Sequence, residues 1–310
     1  MRGMKGLVSG EVGSHQPCPP RRRRRPGGDG SLCMFAPAKI NLNLLVGPRR
    51  ADGFHGVDSL VVRITMFDRL HVRLRDDGRI VFHCRGADCG PDADNLVLRA
   101  ARALAQSTAV GGAEITLEKR IPPGKGLGGG ASDAAAALES LNELWGLGLD
   151  GSQLASVAAN LGSDVPVFLG PPAARMTGRG ERIEPLRVHP FFAVLIVPEF
   201  ACRTPEVYEA FDHAPEPAAA QLPAELLARP ASTWRDRLTN QLAAAAMRTC
   251  PALRELHDRA RRTVNLPVHI TGSGSAMFIL CDEADEANAA ARKLNKHLPA
   301  VSLVVKPNAW

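Results

Sequence analysis

Apolar and polar residues alternate along the first long stretch after the N-terminal tail, LCMFAPAKINLNLLVG (32–47). A period of two is typical of a β-strand with one face buried. The alternation predicts that Lys39, Asn41 and Asn43 share one face of this strand. Polar side chains therefore line one side of it.

The rest of the first half mixes strand and helix patterns. Strands are predicted by LVVRITMFDRLHVRL (60–74), IVFHC (80–84) and AEITLEK (113–119), and RADGFHGVDS (50–59) is predicted to be a loop. Helical spacing follows in DNLVLRAARALAQ, where Asp94 is the expected N-cap. Further helices are predicted over 131–145 and about 150–160.

The second half of the chain also mixes strand and helix patterns. Its sequence is not an internal repeat of the first half. PFFAVLIVP (190–198) and AVSLVVKP (300–307) predict strands, and LPVHITGSGSAMFILC predicts two strands joined by a Gly-rich turn. Helices are predicted near 204–212 and 236–262, around a Pro/Ala-rich insert (214–231), and in the amphipathic segment before the last strand.

Strands and helices do not follow a regular βαβ order, which favours an α+β fold. The Pro171–Pro172 pair marks the expected boundary between two domains, 32–172 and 173–310. Residues 1–31 are expected to be a disordered, Arg-rich extension. If translation starts at Met34, this extension has no role.

Charge does not indicate a nucleic-acid partner for the folded part. The chain carries a formal net charge of +6, and residues 1–30 hold seven basic and two acidic residues, which leaves the remainder nearly neutral. The run Arg21–Arg25 is either solvated or a polyanion contact. No apolar run approaches the roughly 20 residues of a membrane-spanning helix, so no membrane partner is expected.

The cysteine pattern indicates neither a disulfide framework nor a zinc site. The seven cysteines form an odd set without a CxxC pair (18, 33, 84, 89, 202, 250, 281). A reducing cytoplasm is the expected location.

Five glycines within Gly124–Gly130 stand between the strand at 113–119 and an alanine-rich helix. Such a loop offers backbone N–H groups at a helix N-terminus without side chains in the way, an arrangement that binds phosphate. A merely flexible loop is the alternative. The Walker pattern fails because Gly126 follows Lys125, and GKGLGG is only a weak dinucleotide-binding match.

Four stretches in order resemble the GHMP kinase superfamily: APAKINLNLLVGPRRADGFHGVDSLV (36–61), PPGKGLGGGASDAAAAL (122–138), NLGSDVPVFLG (160–170) and ITGSGSAMF (270–278). In detail they are similar to members that phosphorylate a cytidine-diphosphate-linked sugar alcohol for isoprenoid precursors. Ala131 departs from the family's usual serine. The tail and the Pro/Ala insert are also unusual.

The resemblance implies a two-domain fold, with an N-terminal domain like ribosomal protein S5 domain 2 and a ferredoxin-like C-terminal domain. It implies ATP as phosphoryl donor, with Mg²⁺ whose ligands the sequence does not identify. The implied ATP-binding residues form one continuous segment: Pro122, Pro123, Gly124, Lys125, Gly126, Leu127, Gly128, Gly129, Gly130, Ala131 and Ser132.

Phosphoryl transfer needs alignment and positive charge more than covalent chemistry. By resemblance, Asp164 accepts the proton of the acceptor hydroxyl and Lys39 orients it and stabilises the transferring group. Taken alone, Asp164 is equally explained as a helix cap and Lys39 as a solvated side chain. Gly272, Ser273 and Gly274 would form a second wall near the phosphates, or else a simple hairpin turn.

The acceptor side depends on the DGFH loop, since Phe54 offers a ring for stacking on a base and His55 a hydrogen-bonding imidazole. By resemblance, Tyr208 covers the other face of the base and Asn41 contacts the substrate near the catalytic pair. A half-buried structural tyrosine is the alternative for Tyr208.

The expected partner is thus one small-molecule substrate, bound by a monomer or homodimer. A homoserine or mevalonate kinase is the rival enzyme, and DGFH disfavours it because those acceptors carry no base. A polyanion-binding protein that uses the Arg-rich tail is the rival from another class.

Overall fold

The computed structural model describes residues 22–24, 30–108 and 111–310. The strands are β1 (Arg22–Arg24), β2 (Ser31–Arg49), β3 (His55–Arg75), β4 (Ile80–Gly86), β5 (Gly112–Lys119), β6 (Ala173–Gly178), β7 (Arg182–Pro185), β8 (Phe192–Pro198), β9 (His269–Ile270), β10 (Met277–Cys281) and β11 (Ala300–Val305). The helices are α1 (Leu96–Thr108), α2 (Gly129–Leu144), α3 (Gly151–Leu161), α4 (Val165–Leu169), α5 (Thr204–His213), α6 (Ala243–Thr249), α7 (Pro251–Val264) and α8 (Ala284–His297).

Two sheets organise the described residues, which confirms the α+β prediction. The first has seven strands in the order β1-β2-β3-β5-β4, with β6 pairing with β3 and with β7. The second has four strands in the order β11-β8-β10-β9. All pairs are antiparallel except β4 with β5.

Each sheet is covered by its own helices. Helices α1 to α4 pack on the first sheet around an alanine-rich core, and α5 to α8 pack on the second. A third apolar cluster joins the two sheets, with Ile40 and Leu42 of β2 packed near Phe278 of β10 and Trp234. The chain can therefore hold residues of both halves around one cleft.

Strand β2 changes register against β3 at three places, Pro37/Ala38, Asn41/Asn43 and Val46/Arg49. Bulges of this kind re-aim side chains, and the first two fall on both sides of Lys39. Lys39, Asn41 and Asn43 are buried rather than solvated. Burial of these polar groups requires partners, and partners are present.

Several sequence expectations need correction. Asn95, not Asp94, caps α1, because Asn95 Oδ1 accepts from the Val97 backbone N–H at 2.9 Å. The predicted helix over 236–262 is divided into α6 and α7, because Pro251 cannot continue a helix and begins a new one. Strand β3 begins at His55, inside the predicted loop.

The hairpin β6–β7 was not predicted, and it belongs to the first sheet. The first sheet thus continues beyond residue 172, where the sequence analysis drew the domain boundary. The division into two domains stays a prediction.

The N-terminal extension is ordered at Arg22–Arg24, which pair with β2 opposite Met34 to Leu32. For these three residues the expected disorder is wrong, since an edge of β2 is available for pairing. The remainder of 1–29 lies outside the described residues.

One disulfide joins Cys84 and Cys89, five positions apart. The expectation of no disulfide is wrong for this pair, because the chain after β4 folds back so that the two Cα atoms lie 6.6 Å apart. Cys202, Cys250 and Cys281 form no disulfide among the described residues. Within the described residues, no helix is both long and apolar enough to cross a membrane.

Candidate active site

A cavity of about 1040 Å³ lies between the two halves of the chain and collects most of the predicted site residues. The glycine segment forms one wall, Phe54, His55 and Tyr208 form another, and Lys39 and Asp164 line it as well. This volume is that of an ordinary cofactor and substrate site.

The glycine loop leads into α2 through Gly128, the N-cap, which has φ 70°. Gly129, Gly130 and Ala131 form the first turn of the helix and line the cavity. The first N–H groups of a helix have no partner within it and attract anions. The arrangement is suited to hold phosphate.

The glycines are also required by packing against the protein itself. A Cβ on Gly126 would lie 2.2 Å from the Thr271 carbonyl oxygen, and one on Gly128 would lie 2.9 Å from Phe168. Gly130, by contrast, has open space around its Cβ position apart from Leu96 at 3.9 Å. These close contacts with the rest of the protein were not predicted from the sequence.

Lys125, predicted to bind ATP, uses its ammonium elsewhere. This group donates to the carbonyl oxygens of Glu199, at 2.9 Å, and Phe200. Its burial lowers the pKa of Lys125. Because its hydrogen bonds link the loop to the second half of the chain, Lys125 anchors the loop rather than offering a free charge.

Ser132 and Ala131 differ in their position relative to the cavity. Ala131 lines it, whereas Ser132 is buried beside it and is not among the lining residues. The Ser132 hydroxyl has no hydrogen-bond partner among the described residues. The departure at Ala131 therefore removes a hydroxyl from the cavity wall.

Lys39 and Asp164 are brought together by tertiary structure. Lys39 Nζ lies 3.4 Å from Asp164 Oδ2, and the lysine side chain is 4% exposed whereas the aspartate is 35% exposed. The Lys39 backbone N–H donates to Leu127 O at 2.9 Å, which ties the strand to the glycine loop. The pair thus lies at the glycine-loop end of the cavity, with the carboxylate open to the cavity.

Asp164 precedes α4 but does not cap it, since its side chain makes no capping hydrogen bond. The simple capping interpretation of Asp164 therefore loses its support. Its carboxylate is free to accept a proton from a substrate hydroxyl.

Asn41 orients Lys39. Its Oδ1 accepts from Lys39 Nζ at 2.6 Å, and its Nδ2 donates to Ser59 Oγ at 2.8 Å. Thr271 Oγ1 donates to the same Oδ1 at 3.3 Å. Asn41 lines the cavity, but its amide is already engaged by the protein.

At the acceptor end, Phe54 is 48% exposed, which is unusual for a large apolar side chain. His55 is buried, with Nδ1 donating to Gly47 O at 2.9 Å and Nε2 3.2 Å from Asp212 Oδ1. The imidazole packs on the Tyr208 ring with centroids 5.2 Å apart. His55 is therefore held in a fixed orientation.

Burial, together with the nearby charge of Asp164, raises the pKa of Tyr208 to about 12. The phenol is consequently protonated at neutral pH and can donate a hydrogen bond. The His55 imidazole and the Tyr208 ring both line the cavity.

Within the second glycine motif, Gly272 and Ser273 line the cavity, and Ser273 Oγ bonds Thr204 Oγ1 at 2.7 Å. Gly274 faces the interior instead, where its Cβ position lies 3.3 Å from Leu253. The Ala276 backbone N–H donates to Lys125 O at 3.1 Å. The two glycine motifs are thus joined directly.

A buried ionic cluster lies behind the glycine loop and was not predicted from the sequence. Lys119 Nζ contacts Asp68 and lies 2.9 Å from Asp133 Oδ2. Asp68 also accepts from the backbone N–H groups of Arg120 and Ile121 at 2.5 and 2.8 Å. The cluster fixes the residues that lead into the loop.

The cluster contains two carboxyl groups, those of Asp68 and Asp133, and one ammonium, that of Lys119. Burial raises the pKa of Asp133 to about 8, with Lys119 opposing the shift. Burial opposes the charge of Lys119, but Asp133 and Asp68 raise its pKa overall. Asp133 therefore holds a proton to a higher pH than an exposed aspartate does.

No cluster of three or more His, Cys, Asp or Glu side chains suited to a metal ion occurs in the described part of the chain.

The comparisons with known proteins agree with this geometry. The profile of GHMP kinases N terminal domain matches residues 95–170, and that of GHMP kinases C terminal matches 218–300. A 4-diphosphocytidyl-2-C-methyl-D-erythritol kinase of Salinibacter ruber is 36% identical over 285 residues, 89% of this chain and 99% of that protein. The chain belongs to this family of GHMP kinases.

A second member of the family, from Granulibacter bethesdensis, is 39% identical over 84% of this chain and 88% of its own length. A crystal structure of 4-(cytidine 5'-diphospho)-2C-methyl-D-erythritol kinase superposes with a TM-score of 0.73 at 36% identity, covering 90% of this chain and all of that one. Homoserine kinase from Cytophaga hutchinsonii, at 18% identity and TM-score 0.69, shares the fold. GHMP kinases are ATP-dependent kinases, which identifies ATP as the phosphoryl donor.

Proposed function

We propose that this chain transfers the γ-phosphoryl group of ATP to the 2-hydroxyl of 4-diphosphocytidyl-2-C-methyl-D-erythritol, in the non-mevalonate pathway to isoprenoid precursors. The observation that carries the proposal is the Lys39–Asp164 pair, 3.4 Å apart in one cavity with the glycine loop and an aromatic pair. Family membership supports the same substrate.

In the proposed reaction, Asp164 accepts the proton of the substrate hydroxyl while the hydroxyl oxygen forms a bond to the γ-phosphorus of ATP. The bond from that phosphorus to the oxygen that stays with ADP breaks. Lys39, oriented by Asn41 at 2.6 Å, stabilises the negative charge on the transferring group. The first-turn N–H groups of α2 hold the phosphates in line with the acceptor.

Mg²⁺, when bound with ATP, would neutralise charge on the β- and γ-phosphates. Asp164 lines the cavity beside Lys39, and it is the candidate for a water-mediated contact with the ion. Its exposure of 35% leaves room for such a contact.

For the acceptor, Phe54 offers an exposed ring on which cytosine can stack. His55 and Tyr208, packed on each other at 5.2 Å, form a second aromatic surface nearby. Mevalonate and homoserine have no base to occupy these rings. The acceptor end therefore favours a cytidine nucleotide.

The test is an assay of ATP-dependent phosphorylation with the cytidyl substrate, mevalonate and homoserine offered separately. We expect turnover with the cytidyl substrate alone, and an Asp164→Asn variant should lose nearly all of it. Asp92→Asn, a change at an exposed loop position, is the matched control and should retain wild-type turnover. Preferred turnover of mevalonate or homoserine would reject the proposal.

We further propose that the enzyme acts in the cytoplasm as a monomer or homodimer, without a nucleic-acid partner. Removal of residues 1–21 leaves Arg22–Arg24 available to pair with β2. A kinase should keep its turnover in this variant, whereas loss of turnover would assign the tail a role in the enzyme.

A further inference from the structure

Arg179 lies at the tip of the hairpin β6–β7, in the turn between Gly178 and Gly180. Its guanidinium carbon is 4.0 Å from the centroid of the Phe54 ring, a close cation–π contact. Arg179 lines the same cavity as Lys39 and Asp164. No role for it was expected from the sequence.

The turn that carries Arg179 is held against the Asp164 segment. A Cβ on Gly180 would lie 2.1 Å from the carbonyl oxygen of Ser163, the residue before Asp164. The Arg179 backbone N–H donates to Glu181 Oε2 at 2.6 Å. The hairpin therefore fixes Arg179 between the catalytic segment and the Phe54 loop.

The other basic side chains that line the cavity already have hydrogen-bond or ion-pair partners in the protein. Lys39 is paired with Asp164, and Lys125 donates to two backbone carbonyls. Arg49, the second guanidinium of the lining, donates through Nε to Gly53 O at 3.2 Å. These groups leave the acceptor end with little uncommitted positive charge.

Arg179 has donors to spare. Its Nη1 lies 3.9 Å from Asp52 Oδ2, beyond hydrogen-bond distance, and its Nε is buried without a hydrogen-bond partner among the described residues. A planar guanidinium with unused N–H groups matches the oxygens of a phosphate group.

We propose that Arg179 is a specificity-determining residue that binds the diphosphate of the acceptor while it stays stacked on Phe54. The inference rests on the proposed function and adds to it a residue that recognises the diphosphate. Phe54 then uses one face for the guanidinium and the opposite face for the base. Charge and stacking together select a nucleoside diphosphate over an uncharged alcohol.

The experiment measures binding of cytidine 5'-diphosphate and of cytidine by calorimetry, with a saturating non-hydrolysable ATP analogue to fill the donor site. We expect Arg179→Gln to weaken binding of the diphosphate about 10- to 100-fold, as for loss of a charge-assisted hydrogen bond, and binding of cytidine less than about 3-fold. Arg179→Lys should fall between wild type and Arg179→Gln, because it keeps the charge but loses the planar stack.

Arg182→Gln is the matched control, since Arg182 lies on the same hairpin but its side chain is 77% exposed and contacts only Glu181 among charged groups at 4.0 Å. It should bind both ligands as the wild type does. In steady-state assays, Arg179→Gln should raise KM for the cytidyl acceptor by a similar factor and leave KM for ATP unchanged.

Equal weakening of both ligands by Arg179→Gln would mean that Arg179 only shapes the Phe54 surface, and would overturn the inference. So would an unchanged affinity for the diphosphate, or an increase confined to KM for ATP. A wild-type protein that binds neither cytidine ligand would reject the proposed function as well, which separates that failure from failure of the Arg179 assignment alone.

Discussion

The ammonium of Lys39 lies 3.4 Å from Asp164 Oδ2, and the two residues come from different elements, the long strand β2 and the short segment before α4. Lys39 is buried and Asp164 is partly open to the cavity. The pair therefore presents a carboxylate to the cavity and keeps the buried ammonium beside it.

Removal of either partner should reduce kcat. We expect Asp164→Asn to lower kcat about 10²- to 10⁴-fold, the usual contribution of a positioned base, with little change in KM for ATP. Some loss of stability should accompany it, because Asp164 makes no capping hydrogen bond but is the charged partner of the buried Lys39 ammonium. Steady-state kinetics with a thermal unfolding check would test this, and wild-type kcat in the variant would remove Asp164 as the base.

Lys39→Met should also reduce stability. It removes one of the two donors to the buried Asn41 Oδ1, at a cost of about 0.5–1.5 kcal/mol in the free energy of unfolding, in addition to a large loss of kcat. Urea unfolding beside the kinetic assay separates the two effects. An unchanged kcat would show that Lys39 has no role in the transition state.

Gly126 and Gly148 both have positive φ angles, 75° and 65°, but only Gly126 is crowded. Gly126→Ala would place a methyl group 2.2 Å from Thr271 O, whereas Gly148 has no atom within 4 Å of its Cβ position. We expect Gly148→Ala to cost about 1–2 kcal/mol from backbone strain, and Gly126→Ala to cost several times more. Equal losses in urea unfolding would argue against the close contact between the two glycine motifs.

Asp133 should make stability depend on pH. Burial raises its pKa to about 8, so the folded state keeps a proton that the unfolded chain releases above about pH 4. The folded state binds more protons in this window, so this group's contribution to stability falls as pH rises from about 4 to about 8. The slope from one such group is at most about 1.4 kcal/mol per pH unit.

The Asp133→Asn variant keeps the shape of the side chain but cannot titrate. We expect its free energy of unfolding to lose this downward slope, so that it gains on the wild type as pH rises toward 8. The exposed Asp92→Asn change is again the control and should leave the slope in place. A slope that persists in Asp133→Asn would assign the proton to another group.

Ala131 occupies the first turn of α2 on the cavity wall. Ala131→Ser would add a hydroxyl beside the proposed phosphate site, and one neutral hydrogen bond is worth about 0.5–1.5 kcal/mol. We expect KM for ATP to fall about 2- to 10-fold, with KM for the cytidyl acceptor unchanged. An unaltered KM for ATP would show that the phosphates do not reach this turn.

Most of the individual helices and strands could be predicted from the sequence. Alternation over β2 and the alanine-rich spacing of α2 depend on local periodicity, which a single sequence displays directly. Two errors were local in origin: the N-cap is Asn95 rather than Asp94, and Pro251 divides a predicted helix.

The candidate site shows the same division. Glycines, Lys39 and Asp164 were found because their residue types and order resemble a known family. Arg179 and the cluster of Lys119, Asp68 and Asp133 were missed, because an arginine in a short turn and a lysine at a strand end carry no distinctive pattern. Only the turn Gly178–Gly180 could have drawn attention to Arg179.

By itself, then, the sequence determined which segments are strands and helices and which backbone can approach a phosphate, because periodicity and glycine content act over a few residues. The tertiary structure decided which charges meet. Lys39 reached Asp164, Lys125 was drawn to Glu199 and Phe200, and Arg179 was stacked on Phe54. Burial makes the pairings of Lys39 and Lys125 matter, since a charge removed from water must find a partner wherever the fold supplies one.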